Sequence, residues 1–424
     1  DSGILASKQT PELGLIMTQF LIQGIMVGLV TGFSYGFAIR KIGAENTAAL
    51  GSLTPVIASI AAYPILAETL SINGVLSMSL ICFGVLCASG VKVMILDNLV
   101  AAKGDPILSL SVACRADERA EKIDLGIGVY RDNQGHTPVM QAIKQAEARL
   151  LQEQASKVYV GMPGNESFNA AMMDLLIGEG ESKSRAVGVQ TPGASGALRM
   201  LADVIKLSAP DATVWLSDLS YANHAPIMQT AGLKVRYYMY FDPQTKLVNS
   251  DAMLTDIAQA GENDVVLVHG CCHNPTGADL SFDDWKALTA LAQKQGFLPF
   301  IDIAYQGFGD GMEEDVAGFR YLAERVESYL VASSCSKNFG LYRERTGLAV
   351  IVGKTLAQSH KIKSRLLECA RSTYTMPPDH GAALVDMILR DQGLKQVWLN
   401  EVDAMRQRVQ GLREQLASAL RDKS

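Results

Sequence analysis

The chain has 424 residues, more than one ordinary compact core accommodates, so two or more domains are expected. Its formal net charge of −6 argues against a nucleic-acid partner, which calls for a basic face. The seven cysteines show no framework spacing, and vicinal Cys271–Cys272 makes a poor structural disulfide, which points to a reduced, cytosolic-facing protein.

Apolarity is unevenly spread. Three uncharged apolar segments, 13–39, 46–67 and 74–91, come first, and a soluble-like composition begins after Asp97. At 1.5 Å per residue about 20 helical residues span the hydrocarbon layer, so each segment is expected to be a transmembrane helix. A signal peptide would be one apolar run, not three. Arg40–Lys41 comes after the first segment and Lys92 after the third, which places both ends, and the chain beyond Val93, on the cytoplasmic side. Residues 1–93 are therefore read as an all-α, three-helix transmembrane piece in the inner (cytoplasmic) membrane, and 94–424 as a cytoplasmic part.

The run from Arg40 to Val85, with its small residues, Pro55 and "AETLS", resembles the last helices of EamA-type drug/metabolite transporters. That resemblance covers about 13–91 and lacks most of a transporter. A transporter fragment carrying an incidental enzyme piece is the rival reading.

From Asp105 strands alternate with helices. Strand candidates are 213–218, 235–240, 264–270, 297–305, 329–336 and 347–353; helical patterns cover about 196–207, 283–295 and 315–327. This alternation predicts an α/β domain with a mostly parallel sheet. Ligands in such sheets bind beyond the carboxyl ends of the strands. The residues placed there are "TPGASGALR" (191–199), "DLSYANH" (218–224), "HNPTG" (273–277), "DIAYQGF" (302–308) and "SCSKNFG" (334–340).

That set has a chemistry. A lysine at a buried strand end, Lys337, loses hydration, which lowers its pKa and frees a nucleophilic amine; Arg345 pushes the same way. "GASG" opening a helix offers backbone N–H groups and a helix dipole to an anion, with donors from Ser195, Ser334 and Arg345. Asp302 can hold a protonated ring nitrogen. A phosphate, an aldehyde and a ring nitrogen together describe pyridoxal phosphate. His269, Cys271, Cys272 and His273 are set aside as a zinc site, because consecutive strand residues face opposite sides.

"KIDLGIGVYRD", "TPGASGALR", "HGCCHNPTGADL", "DIAYQGFGDGMEED" and "SSCSKNFGLYRERTG", in that order, resemble class I aminotransferases of the aspartate/aromatic amino acid type, from about Met94 to Ser424. The resemblance implies the large domain of the fold type I pyridoxal-phosphate-dependent transferases with an incomplete small domain. It also implies a homodimer acting on amino acid and 2-oxo acid substrates, aspartate or an aromatic amino acid with 2-oxoglutarate. It gives Lys337 the Schiff base and proton transfer, Asp302 the pyridinium nitrogen, and Asn274 and Tyr305 the phenolic oxygen. Ala194, Ser195, Ser334 and Arg345 take the phosphate, with Tyr159 reaching it from a second subunit. His224 braces Asp302, Tyr221 stacks on the ring where tryptophan is usual, and Gly128 lies by the substrate. Arg371 reaches across the dimer to a distal carboxylate, which argues against the decarboxylase alternative. The family's arginine for the substrate α-carboxylate has no match before Ser424, so the resemblance implies impaired turnover in this chain.

Overall fold

A computed structural model describes residues 14, 17, 18, 21, 27–51, 53–66, 71–88, 99–101, 106–123, 126 and 128–422. The chain divides into two compact units, Asp1–Arg119 and Ala120–Ser424. Met94, where the enzyme part is expected to start, lies outside the described residues.

The first unit is helical: α1 (Gly28–Ile42), α2 (Ala44–Gly51), α3 (Thr54–Leu66), α4 (Ile72–Ala88) and α5 (Pro106–Ala116). The expected membrane spans find no support among the described residues. Among the described residues, no helix is long and apolar enough to cross a membrane. Parts of the 13–39, 46–67 and 74–91 segments lie outside the described residues. What is described is interrupted. Gly43 takes φ 84° and ends α1, its N–H bonding back to the Ile39 carbonyl at 3.0 Å. The 46–67 segment is split between α2 and α3. Pro55, expected in mid-helix, sits in the first turn of α3, where a missing N–H costs nothing. The 17 residues of α4 reach about 26 Å, short of a hydrocarbon layer of about 30 Å. Among the described side chains of this unit only Thr47 and Val56 are buried.

The second unit is built on one seven-stranded sheet: β1 (Ala186–Pro192), β2 (Thr213–Ser217), β3 (Lys234–Tyr238), β4 (Val265–His269), β5 (Leu298–Ile303), β6 (Tyr329–Ser334) and β7 (Thr346–Val352). Its order is β1-β7-β6-β5-β4-β2-β3. Only β7 runs antiparallel to its neighbours; every other pairing is parallel. The mostly parallel sheet expected from the alternation is present, with all six strand candidates and β1 besides.

Besides a single helical turn at Glu181–Ser184, the helices of this unit are α6 (Gln141–Glu153), α7 (Glu166–Ile177), α8 (Gly193–Ser208), α9 (His224–Thr230), α10 (Ser250–Ile257), α11 (Phe282–Gln295), α12 (Glu314–Ala323), α13 (Leu356–Thr373), α14 (His380–Arg390) and α15 (Gln392–Arg421). They cover both faces. On one, Leu198 and Leu201 of α8 and Leu366 of α13 pack with Val265, Leu267, Phe300 and Ile351. On the other, Phe168 of α7, Trp285 of α11 and Trp398 of α15 join Val266, Val268, Ile301 and Val350. Successive residues of one strand thus feed opposite cores, which is why the strands read as unbroken apolar runs rather than alternating ones. Because β1 runs in the same sense as β6, its end, and with it the start of α8, lies at the edge where β2, β4, β5 and β6 also finish.

Candidate active site

At that carboxyl edge lies a cavity of about 210 Å³, lined by Ala194, Ser195, Tyr221, Asn274, Asp302, Tyr305, Ser334, Lys337 and Arg345 among others. These come from five separate stretches of sequence, each just past or at the end of a strand, and the sheet gathers them.

Lys337 stands three residues beyond β6. Its Nζ donates to the Gly128 carbonyl and lies 5.4 Å from the ring centre of Tyr305 and 5.3 Å from that of Tyr342. Burial, and then the Arg345 guanidinium, hold its amine below the ordinary lysine pKa. A desolvated amine with a cationic neighbour is the nucleophile that carbonyl chemistry needs.

Asp302 is in β5 and buried. Its Oδ2 accepts from His224 Nε2 at 2.8 Å, and His224 Nδ1 is 2.8 Å from Ser220 Oγ. With the proton on Nε2, Ser220 donates to Nδ1, and the imidazole is fixed at both ends. The other oxygen, Asp302 Oδ1, is buried and has no partner. A buried carboxylate oxygen left unbonded costs free energy unless a donor from outside the chain reaches it. His224, His269 and Asp302 also bring one ligand atom each within 4.8 Å of one another. His224 is already committed to Asp302 and Ser220 through both nitrogens, so the unpartnered atoms of this cluster are Asp302 Oδ1 and His269 Nε2, both on residues that line the cavity.

The anion end is built by two close backbone approaches. Gly193 takes φ 70°, and a Cβ there would stand 2.5 Å from Arg345 Nη2. A Cβ on Gly347 would stand 2.4 Å from the Gly193 carbonyl carbon. These two glycines let the start of β7, and Arg345 just before it, press against the N-terminus of α8. Arg345 itself is held at φ 52°, its Nη1 donating to the Tyr342 carbonyl at 3.1 Å and to Ser336 Oγ at 3.4 Å. The N-terminal N–H groups and dipole of a 16-residue helix, Ser195 and a guanidinium thus converge.

The β4 loop carries Asn274. The residue before it, His273, is clamped: Nε2 is 3.1 Å from Ser217 Oγ, Nδ1 is 2.9 Å from Thr276 Oγ1, and the ring stacks on Tyr240 at 3.9 Å. Burial pushes the His273 pKa down to about 4 and that of His269 to about 3. Burial first, then the Asp302 charge, pushes the Tyr305 phenol up to about 12, so it stays a hydrogen-bond donor.

The Aminotransferase class I and II family matches residues 120–424. The chain belongs to that family. The aromatic-amino-acid aminotransferase of Paracoccus denitrificans is 45% identical over 329 residues, 78% of this chain and 84% of that one. The aspartate aminotransferase of Escherichia coli (strain K12) is 42% identical over 330 residues, 77% of this chain and 83% of that one. The solved aromatic-amino-acid aminotransferase of Burkholderia pseudomallei, covalently bound to pyridoxal phosphate, superposes with a TM-score of 0.75 at 35% identity, covering 77% of this chain and 83% of that one.

The aminotransferase cofactor fits the residues present. A ring N–H would satisfy the orphaned Asp302 Oδ1; the α8 N-terminus with Ser195 and Arg345 suits a phosphate; and Lys337 supplies the amine. Of the residues singled out by sequence, the cavity gathers all but Gly128, His224, Tyr159 and Arg371. Gly128 accepts from Lys337, and His224 lies directly behind Asp302. Tyr159 is 85% exposed and Arg371, near the end of α13, is exposed too; neither lines the cavity. Sequence reasoning missed Ser336 and Tyr342, and considered His269 as a zinc ligand to be set aside, although it lines the cavity. Tyr342 carries no such sequence signal: it lies in the loop between Lys337 and Arg345, and its hydroxyl accepts from the Tyr130 N–H at 3.0 Å, tying the 128–130 stretch to the lysine loop.

Proposed function

We propose that this aminotransferase exchanges an amino group between aspartate or an aromatic amino acid and 2-oxoglutarate, with Lys337, Asp302 and Tyr305 as its catalytic residues. The observation that carries the reading is the unpartnered Asp302 Oδ1, buried in the same cavity as the Lys337 amine. When bound, pyridoxal phosphate supplies an aldehyde for the amino group and a ring that accepts the electron pair left at the substrate Cα.

The chain's own residues do the rest. Lys337, its pKa lowered by burial and by Arg345, would be the amine that holds the cofactor aldehyde and would move the proton at the substrate Cα. Asp302 keeps a ring N–H protonated, and His224 with Ser220 holds the carboxylate from turning away. Asn274 and Tyr305 donate toward the ring oxygen, and Tyr221 offers it a π face. Ala194, Ser195, Ser334 and Arg345 hold the phosphate. Gly128 keeps its carbonyl beside the lysine and leaves room for substrate.

Tyr159 and Arg371 are proposed to serve the cavity of a second subunit in a homodimer, the tyrosine at the phosphate and the arginine at a distal carboxylate. The helical piece before the enzyme, resembling the end of an EamA-type transporter, is proposed as a separate body spanning 1–93.

The test is to feed aspartate and tyrosine separately, each with 2-oxoglutarate, to the full chain and to a chain starting at Met94. Glutamate formation by both, without release of carbon dioxide, supports the reading. Carbon dioxide release in place of glutamate would replace it with decarboxylation.

A further inference from the structure

Extended-chain alternation would set Cys271 and Cys272 on opposite sides, and the sequence expectation used that. The structure departs from it. β4 ends at His269, and Cys272 takes φ 48°, in the left-handed region. The turn folds the second side chain back toward the first, so that both Sγ atoms and an Asp315 carboxylate oxygen lie within 4.8 Å of one another. Asp315 is already occupied. Its Oδ2 accepts from the N–H groups of Gly307 and Gly309, at 2.7 and 3.0 Å, and its Oδ1 from Asp310 and Gly311, at 2.7 and 3.2 Å. What the cluster has to offer is therefore two free thiols, one buried and one half-buried.

Their surroundings tie them to the cavity. Asp279 accepts from the backbone N–H of Cys272 and of His273, each at 2.7 Å, which fixes the turn. Cys272 Sγ donates to the Tyr305 carbonyl at 3.9 Å, and Asn274 is two residues further on. The thiol pair is thus bonded to one cavity residue and next but one in sequence to another.

We propose that Cys271 and Cys272 form a two-thiol site for thiophilic trivalent arsenicals, and that filling it disables the adjacent cavity. The chemistry balances without any change of oxidation state. An organoarsenic(III) oxide takes two S–H groups; two As–S bonds form, and the oxide oxygen leaves as water with both thiol protons. The half-buried Cys272 reacts first. Its bond to Cys271, together with burial, keeps the inner thiol protonated until the second step. Closing the chelate takes the Cys272 thiol from the Tyr305 carbonyl and draws the turn inward, moving Asn274 and Tyr305. The effect on activity rests on the reading of the cavity given above; the two-thiol site does not.

Phenylarsine oxide on the holoenzyme tests both parts. Intact mass should show one phenylarsenic group per chain with two titratable thiols lost. Turnover should fall about tenfold or more, as small misplacements in a catalytic site do. 2,3-Dimercaptopropanol should restore it, and a monothiol should not. Cys272→Ser and Cys271→Ser should keep the parent's turnover and take up no arsenic. No adduct on the parent, or the same adduct on Cys272→Ser, overturns the site; an adduct with full turnover overturns its coupling to the cavity. The mass readout is independent of turnover, so failure of the cofactor reading would show separately, as an unmodified parent that transfers no amino group.

Discussion

Replacing Asp302 with asparagine keeps size and shape while removing the charge, and the local geometry sets the consequence. The asparagine carbonyl can still accept from His224 Nε2 in place of Oδ2, 2.8 Å away in the parent. Its NH₂ must then occupy the position of Oδ1, the oxygen with no partner in the chain. A donor would face a ring N–H, where the parent offers a charged acceptor. Losing a preorganised charge of this kind costs about 3–4 kcal/mol in the barrier, or about 10²–10³-fold in kcat. Cofactor affinity should suffer less, by about tenfold, because the phosphate contacts at the α8 N-terminus are untouched. The assay is glutamate formation from aspartate and 2-oxoglutarate at saturating pyridoxal phosphate, with cofactor affinity measured by fluorescence quenching. Turnover within about fivefold of the parent would refute the charge role, since a mere shape role would survive the substitution.

The same geometry gives two further expected outcomes. Gly193→Ala places a Cβ 2.5 Å from Arg345 Nη2 at φ 70°; it should displace the guanidinium, destabilise the fold by about 1–3 kcal/mol, and weaken cofactor binding, checked by urea denaturation and cofactor titration. His273, whose pKa is about 4 when folded and ordinarily 6.5, cannot take up the proton that the unfolded chain gains below pH 6.5. Its stability contribution is therefore complete above pH 6.5 and lost as pH falls toward 4, a drop of about 3 kcal/mol that His273→Gln should remove from the stability–pH profile.

Much of the site was legible because function in a parallel sheet collects at strand ends. Tyr221, Asn274, Asp302, Ser334 and Lys337 each stand at or just after an apolar run, and those runs are unmistakable because both faces of the sheet are covered. Ala194 and Ser195 were legible for a different reason, a glycine-flanked turn opening a helix. Tyr342 was not, because it sits within a loop and is brought in by the Tyr130 N–H rather than by the strand. Alternation failed at Cys271 and Cys272 because it holds only while the chain stays extended, and one positive φ ends it. The membrane reading finds no support among the described residues: hydropathy records composition, while the break before Thr54 divides the 46–67 segment into two shorter helices.

Whether pyridoxal phosphate is carried by the lysine of this cavity decides the rest. Borohydride reduction of the cofactor-loaded chain, with peptide mass mapping of the product, reads it out at a single residue. One pyridoxyl-modified peptide is expected, with the label on Lys337, and no label on a Lys337→Ala variant that remains folded. A label on any other lysine, or undiminished labelling of that variant, would contradict it.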